Sequence, residues 1–380
     1  TPEQEAVAGC STTLKEVRLE DYTNDDHCAD KTRFTKTQIA TTLDFMETPE
    51  CIRVARDFTC NPPKCHRFHG DEFGGDDKRW GTGHKWMVFE IEKKLGCLIS
   101  PEALRFWAPH FPYFAEKIRL FLLKEKKRKD HHGVVKTHQC TEEEVEGPGE
   151  FNTFSFTDCT VCEVCRPGSG PARGCETTIN NERRENWYIK QRAFYDGCHR
   201  GMEACVKILT ICLPNGMTGA LYGPTSGRKE DKSMFKLANF DEHLMDVCVD
   251  VHGGDLCCTH GDGIFGGCWH CLRTAHQSAP LMPVTAAQTN INDNMCSARE
   301  FIEHSCGRAE ILFPLCTSKR SFKLDVNAHL IVAEIRVMHI LANLKTCCSE
   351  GASCTGATGF QCPPPTLEEC LSMLEDLQQS

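Results

Sequence analysis

The stretch Phe151 to Arg166, FNTFSFTDCTVCEVCR, constrains the chain more than any other. Phe154 and Phe156 alternate with small polar residues, the period-2 pattern of a strand with an apolar face. The run then carries a single acid, Asp158. A carboxylate on a central strand costs free energy to desolvate, so it is paired, hydrogen-bonded or on a metal unless the strand lies at an edge in water. Three later segments each present one acid in a comparable setting: Asp231, Asp262 and Glu303.

The segments around this strand read as an alternating α/β chain. Ala204 to Leu213 is an apolar strand, Pro214-Asn215-Gly216 a tight turn, because Asn-Gly tolerates positive φ, and Met217 to Tyr222 the returning strand. Gly227 to Asp231 opens a helix, and Asp241 is placed to cap another that runs to about Val249. Asp255 to Thr259 is a short strand entering Gly261-Asp262-Gly263. Asn290 to Phe313 and Val326 to Thr346 are long helices, and a short one begins at Thr366. Strand, hairpin, helix, strand, long helix is an α/β order with a mixed sheet. Before residue 146, Thr35 to Phe45, Trp86 to Leu95 and Pro101 to Leu123 read as helices. Lys124 to His132, KEKKRKDHH, reads as a solvated helix end running into a linker, with a nuclear-import or phosphate-binding patch as the alternative. The expected organisation is a mainly helical region over 1–145, an α/β domain over 150–346 and a tail over 347–380.

Composition narrows function. The net charge of −10 over 380 residues counts against autonomous gripping of nucleic acid, because phosphate neutralisation needs basic surface. It is compatible with an acidic metal site. No window approaches the roughly 20 apolar residues of a membrane helix, and the first residues, TPEQEAVAGC, are acidic and polar, unlike a secretory leader. The 27 cysteines are odd in number, so disulfides cannot pair them all, and several sit in apolar runs as small hydrophobes. A reducing compartment is expected. Zinc-like spacing occurs at Cys159, Cys162 and Cys165, at Cys257, Cys258 and His260, at Cys268 and Cys271, and at Cys60, Cys65, His66 and His69. On a strand, side chains three apart point to opposite faces, so one ion does not easily take all of the first group.

The chemistry follows from the acids. Phosphodiester cleavage needs an activated water and stabilised oxyanions, which a divalent pair about 4 Å apart supplies. Mg²⁺ and Mn²⁺ take hard oxygen ligands, hence carboxylates. Arg299 lies four residues before Glu303, on the same helical face, where it would orient the acid or touch phosphate. Taken singly, each acid also has a plainer reading. Asp231 suits a helix start, Asp262 a turn, and Arg299 with Glu303 a surface ion pair.

In combination these segments resemble PIF/Harbinger-type transposases and their domesticated nuclease relatives. Residues 191–235, QRAFYDGCHRGMEACVKILTICLPNGMTGALYGPTSGRKEDKSMF, are similar to the family phrase "NQRAFYNGHKR … LYGPVPGRRHDSTMF". TDCTVCEVCRP resembles the strand with the first catalytic acid, HGDGIFG the block with a later one, and AREFIEHSCGRAEILF the helix with the last. The resemblance implies a ribonuclease H-like mixed sheet flanked by helices, with an N-terminal helical region. It implies that Asp158, Asp262 and Glu303 are catalytic, that Asp158, Asp231, Asp262 and Glu303 bind Mg²⁺ or Mn²⁺, and that Arg299 and Arg228 support them. The implied activity is hydrolysis of DNA, in the nucleus, with a Myb-like partner protein supplying sequence-specific DNA binding. The chain departs from the family pattern at Cys159 in place of glycine, in the Asp262 loop, at His304 and Cys306, at Glu310 in place of a basic residue, and in a longer connection over 168–190. A catalytically silent interaction protein of the same fold, and a cysteine-rich zinc scaffold, are the alternative expectations.

Overall fold

A computed structural model describes residues 34–46, 82–129, 135–145, 152–164, 195–196, 203–267, 269–278, 283–313, 324–349 and 359–379. The chain divides into two compact units, Thr1–Met87 and Val88–Ser380. In the first, helix α1 (Lys36–Met46) begins with a reciprocal cap. Thr35 Oγ1 accepts the Gln38 N–H at 3.2 Å, and Gln38 Oε1 accepts the Thr35 N–H at 2.9 Å, satisfying two donors that a helix start leaves over.

The second unit is mixed α/β, with helices flanking a five-strand mixed sheet. It begins at Val88, within helix α2 (Thr82–Leu95). The expected single helix from Pro101 to Leu123 is instead α3 (Ala103–Trp107), a 3₁₀ turn (Ala108–His110) and α4 (Phe111–Leu123). Pro109 and Pro112 lack the N–H groups that a continuous helix would use there, so it breaks and restarts. A second difference follows at once. Lys126–Lys129 is a strand, β1, paired antiparallel with β2 (Val135–His138), where a helix end was expected. The short helix α5 (Glu142–Val145) comes next, capped by Thr141 and Glu144.

The sheet is built on β3 (Thr153–Glu163). β5 (Glu203–Cys212) lies antiparallel on one side, with Asp158 opposite Thr210, and β7 (Cys258–Gly261) lies parallel on the other, with Phe156 opposite His260. β6 (Thr218–Ser226) extends the β5 side antiparallel, and β8 (Leu272–Thr274) extends the β7 side in parallel. The order is therefore β6-β5-β3-β7-β8, with a two-residue strand β4 (Tyr195–Asp196) pairing the start of β5. The β5–β6 turn is the expected one: Gly216 has φ 82°, and its N–H donates to the Leu213 carbonyl at 2.9 Å.

Both faces of β3 are covered. Phe154 stacks on Phe111 of α4 with ring centroids 3.6 Å apart, and Phe156 lies 6.0 Å from Phe360. On the opposite face sits α6 (Asp231–Leu237), whose Met234 is fully buried against Cys159. Burying one such side chain contributes roughly 1.5–3 kcal/mol. α7 (Phe240–His252) follows. Asp241 does not cap it. Its carboxylate accepts the His270 and Cys271 N–H groups at 3.0 and 2.7 Å, tying a distant loop to the helix start, while Asn239 takes the left-handed conformation at the N-terminus.

Two long helices complete the unit. α8 (Ala286–Leu312) starts at a Thr285–Gln288 capping box, four residues earlier than expected. α9 (Leu324–Cys347) is largely buried from Leu330 onward. Its Asn343 side chain bonds both the N–H and the carbonyl of Thr218, each at 2.8 Å, which closes backbone groups on edge strand β6. The last helix is α10 (Leu367–Gln379), capped by Thr366 and Glu369. Among the described residues, no helix is long and apolar enough to cross a membrane.

Candidate active site

Strand β3 is buried from Thr153 to Thr157 and becomes partly exposed at Asp158. The acid therefore opens a partly exposed stretch, residues 158–161, in the middle of the strand before Cys162 is buried again, and its charge keeps some water. Its Oδ1 accepts the Cys159 N–H at 2.8 Å, and its carbonyl accepts the Thr210 hydroxyl at 3.4 Å.

Asp262 arrives beside it through register. β3 and β7 run parallel, and two residues beyond the Phe156–His260 pair stand Asp158, still within β3, and Asp262, one residue past the end of β7. Gly261 makes the exit possible, since a Cβ there would lie 3.0 Å from both the Phe265 ring and the Thr157 methyl. Asp262 then caps the 3₁₀ turn Gly263–Phe265 by accepting the Gly263 N–H at 2.5 Å. Helix α6 braces this loop from below. Phe235 meets the rings of Phe265 and Trp269 edge-on at 6.2 and 5.2 Å, and the Lys232 Nζ donates to the Gly266 carbonyl at 2.6 Å.

Arg299 reaches in from α8. Its Nη1 lies 3.1 Å from Asp262 Oδ2. Burial disfavours the guanidinium charge, but the Asp262 carboxylate, and more weakly that of Asp158, outweigh it and raise the Arg299 pKa above its ordinary value. Two acids from separate strands thus act on one cation. Glu303 lies on α8 four residues after Arg299, and its side chain is outside the described residues.

Beneath the pair is His260, which is 5 % exposed and whose Nδ1 has no hydrogen-bond partner. Burial, helped by the charges of Arg299 and His276, pushes its pKa down to about 4, so it is neutral at pH 7. This histidine is a neighbour of the acids that the sequence reading assigned to a zinc group instead.

Asp231 sits elsewhere. Side chains alternate along β3, so Cys159 faces away from Asp158, toward α6. There the Lys207 Nζ lies 3.3 Å from Asp231 Oδ1, with the two side chains 10 % and 19 % exposed. Burial and the carboxylates of Asp231 and Asp158 raise the Cys159 pKa far above its ordinary value, so this residue stays a thiol. Arg228 is exposed in the turn between β6 and α6. Lys207 was missed in the sequence, although a lone lysine inside ACVKILTIC is a signal, because a buried ammonium needs an acid.

The arrangement offers hard oxygen donors, Asp158 and Asp262, oriented by two backbone N–H groups and balanced by Arg299. Such donors suit Mg²⁺ or Mn²⁺. Among the described residues, no group of three His, Cys, Asp or Glu side chains is arranged to hold a metal ion. Of the zinc groups, Cys60, Cys65, His66, His69, Cys165 and Cys268 lie outside the described residues, while Cys162, Cys257, Cys258 and Cys271 are buried. Comparison of the chain with protein-family models, with curated proteins and with solved structures finds no match.

Proposed function

We propose that this chain is a divalent-metal-dependent DNA endonuclease related to Harbinger-type transposases, built on a ribonuclease H-like domain. One observation carries the reading: Asp158, midway along β3, and Asp262, just past the end of the adjacent parallel strand β7, share the field of Arg299. The mixed sheet with helices on both faces supports the domain assignment. So does the α8 position of Glu303, one turn beyond Arg299.

In this reading Asp158, Asp262 and Glu303 hold the cation. When bound, it polarises the phosphate and lowers the pKa of a bound water. The protein's own groups prepare the place. The Cys159 and Gly263 N–H groups fix the two carboxylates, and charge-assisted bonds of this kind also favour the ionised form. Arg299 balances the acids and stands ready to face charge developing on a phosphate. Asp231 supports from the other side of β3 by holding Lys207 and, through α6, the Asp262 loop. A Myb-like partner would supply sequence-specific DNA binding, and the nucleus is the matching compartment.

Nicking of supercoiled DNA in Mg²⁺ or Mn²⁺ tests the proposal. Parent protein is expected to nick, and Asp158→Asn or Glu303→Gln to abolish it. Variants that cut as well as the parent sink the assignment.

A second reading, a catalytically silent interaction protein, is favoured by one observation. Asp262 is already ion-paired, and α8 carries Glu310, whose pKa burial raises, where the family has a basic residue. No Mn²⁺ uptake by calorimetry, with the fold intact, would select this reading.

A further inference from the structure

The nuclease reading makes no use of the cysteines, and three of them meet at one sulfur. Cys248 lies on α7, Cys257 immediately before β7 and Cys271 immediately before β8. Cys248 and Cys271 are fully buried, and Cys257 is 7 % exposed. The Cys257 N–H donates to Cys248 Sγ at 3.2 Å, and that sulfur lies 3.9 Å from the Cys257 carbonyl. The side-chain thiols of Cys257 and Cys271 also hydrogen-bond to Cys248.

Packing as small hydrophobes does not account for this arrangement. Backbone N–H groups in a core are paired, mostly with carbonyls, and a neutral thiol is a weak acceptor. Three donors on one sulfur suit a thiolate, because hydrogen bonds to the charged form favour it. The Cys257 thiol, then the Cys271 thiol, hold the Cys248 pKa below its ordinary value against the cost of burial. The same contacts, together with burial, push the Cys257 and Cys271 thiols up, so those two keep their protons. A thiolate is the nucleophile of sulfur chemistry, and a thiol beside it is a partner for a disulfide. The cluster is close to the surface. Residues 253–255 form an exposed turn whose Gly254 N–H donates to the Cys248 carbonyl at 3.3 Å. A Cβ on Gly253 or Gly254 would meet nothing within 4 Å, so a small reagent has room at this turn.

From this geometry we infer that Cys248, Cys257 and Cys271 form a redox site oxidised by hydroperoxides, with Cys248 as nucleophile and Cys257 as its first disulfide partner. The site is independent of the nuclease reading. The Cys248 sulfur attacks one oxygen of hydrogen peroxide. An S–O bond forms, the O–O bond breaks, and hydroxide leaves and takes a proton from solvent. The Cys257 sulfur then attacks the Cys248 sulfenic acid. An S–S bond forms, the S–O bond breaks, and the oxygen leaves as water with the Cys257 proton. Two thiols lose two electrons, and the peroxide gains them. Cys271 is the alternative partner at the same sulfur.

The experiment treats the reduced full chain with hydrogen peroxide and traps remaining thiols with N-ethylmaleimide. Links are mapped by mass spectrometry after trypsin and an aspartate-directed protease, whose cuts at Asp250, Asp255 and Asp262 separate the three cysteines. A Cys248–Cys257 link is expected, forming at least about tenfold faster than oxidation of buried Cys162 or Cys212, and reversed by dithiothreitol. Cys257→Ser should divert the link to Cys271, and Cys248→Ser should abolish both. Melting temperatures check that each variant is folded, and the parent map decides by itself if one is not.

Three outcomes overturn the inference. In the first, Cys248 stays reduced while Cys162 or Cys212 is oxidised. In the second, folded Cys248→Ser joins Cys257 to Cys271 as fast as the parent forms its link. In the third, the untreated protein holds stoichiometric zinc, and removing it lets N-ethylmaleimide reach these three thiols, which would make the cluster a metal site.

Discussion

The two faces of strand β3 carry two acid–base pairs of the same chemical type in different surroundings. Asp262 and Arg299 are 43 % and 22 % exposed at 3.1 Å. Asp231 and Lys207 are 19 % and 10 % exposed at 3.3 Å. The first pair is at a strand exit, in reach of water and of a second acid, and half-exposed ion pairs contribute little to stability. The second is walled in by Cys159, Met234 and the β5–β6 sheet, where losing one partner strands a charge. Equal distances thus mean different things. The nuclease proposal therefore puts chemistry at the pair that can be opened and leaves structure to the pair that cannot.

The sharpest way to break this contrast is by acid-to-amide exchange. Asp158→Asn and Asp262→Asn should each slow nicking at least about a hundredfold, a barrier increase of about 3 kcal/mol, with melting temperature little changed. Asp231→Asn should cost less than about tenfold in rate, because it acts only through Lys207 and α6. A plasmid-nicking time course reads all three. Should Asp231→Asn silence the protein while remaining folded, both faces serve the chemistry.

Acid stability must be separated from the titration of those carboxylates. His339 of α9 is fully buried with its Nδ1 3.1 Å from the Thr218 hydroxyl, and burial pushes its pKa down to about 4. The unfolded chain, with an ordinary pKa near 6.5, takes up that proton first as pH falls. The stability present above about pH 6.5 is therefore lost progressively toward pH 4, by up to about 3 kcal/mol. Buried His260, also held down to about 4, adds a similar contribution. Urea melts at pH 7, 5.5 and 4.5 should show the summed slope, and His339→Gln should reduce it by about half. A slope undiminished by the substitution would move the acid sensitivity to other groups.

The walled-in pair gives the next effect. Lys207→Met leaves Asp231 without its partner in a mostly buried place and should lower stability by about 2 kcal/mol, short of the full cost of a deeply buried charge. Adding Asp231→Asn should recover most of it. A double-mutant cycle in urea reads the coupling. Two independent, additive losses would show that the pair contributes nothing as a pair.

These predictions rest on parts of the molecule that were unequally legible in the sequence. Strand β3 and the Asn215-Gly216 hairpin announced themselves because alternation and turn chemistry are local. So did the helix starts at Thr35 and Thr366. The Thr285–Gln288 box is also local, yet the sequence reads as helix only from Asn290. Other elements are made by distant partners. KKRK has no strand signal of its own and is a strand because α4 and α8 hold its base. Asp241 reads as a cap until its bonds to His270 and Cys271 are seen. β8 is three residues long and exists by pairing with β7. For the site, the acids were visible one by one. Their sorting was not, since a one-residue step along β3 decides which face each neighbour meets. That step joins Asp158 to Asp262 and separates both from Asp231.

The smallest effect probes the open pair directly. With no cation bound, Arg299 supplies the positive charge that the acids require, so a divalent ion must compete with it. Arg299→Gln removes the competitor while keeping a hydrogen-bond donor near Asp262. Because the pair is partly exposed, its stability change should be below about 1 kcal/mol. Mn²⁺ affinity, measured by calorimetry without DNA, should rise about three- to fivefold. That is again about 1 kcal/mol, and it should shrink as salt screens the pair. Lys207→Gln should leave Mn²⁺ affinity unchanged, since its partner faces the other side of the sheet. If Arg299→Gln weakens Mn²⁺ binding instead, the guanidinium helps to build the cation site by holding Asp262 in place. The open pair would then share the structural duty assigned here to the buried one.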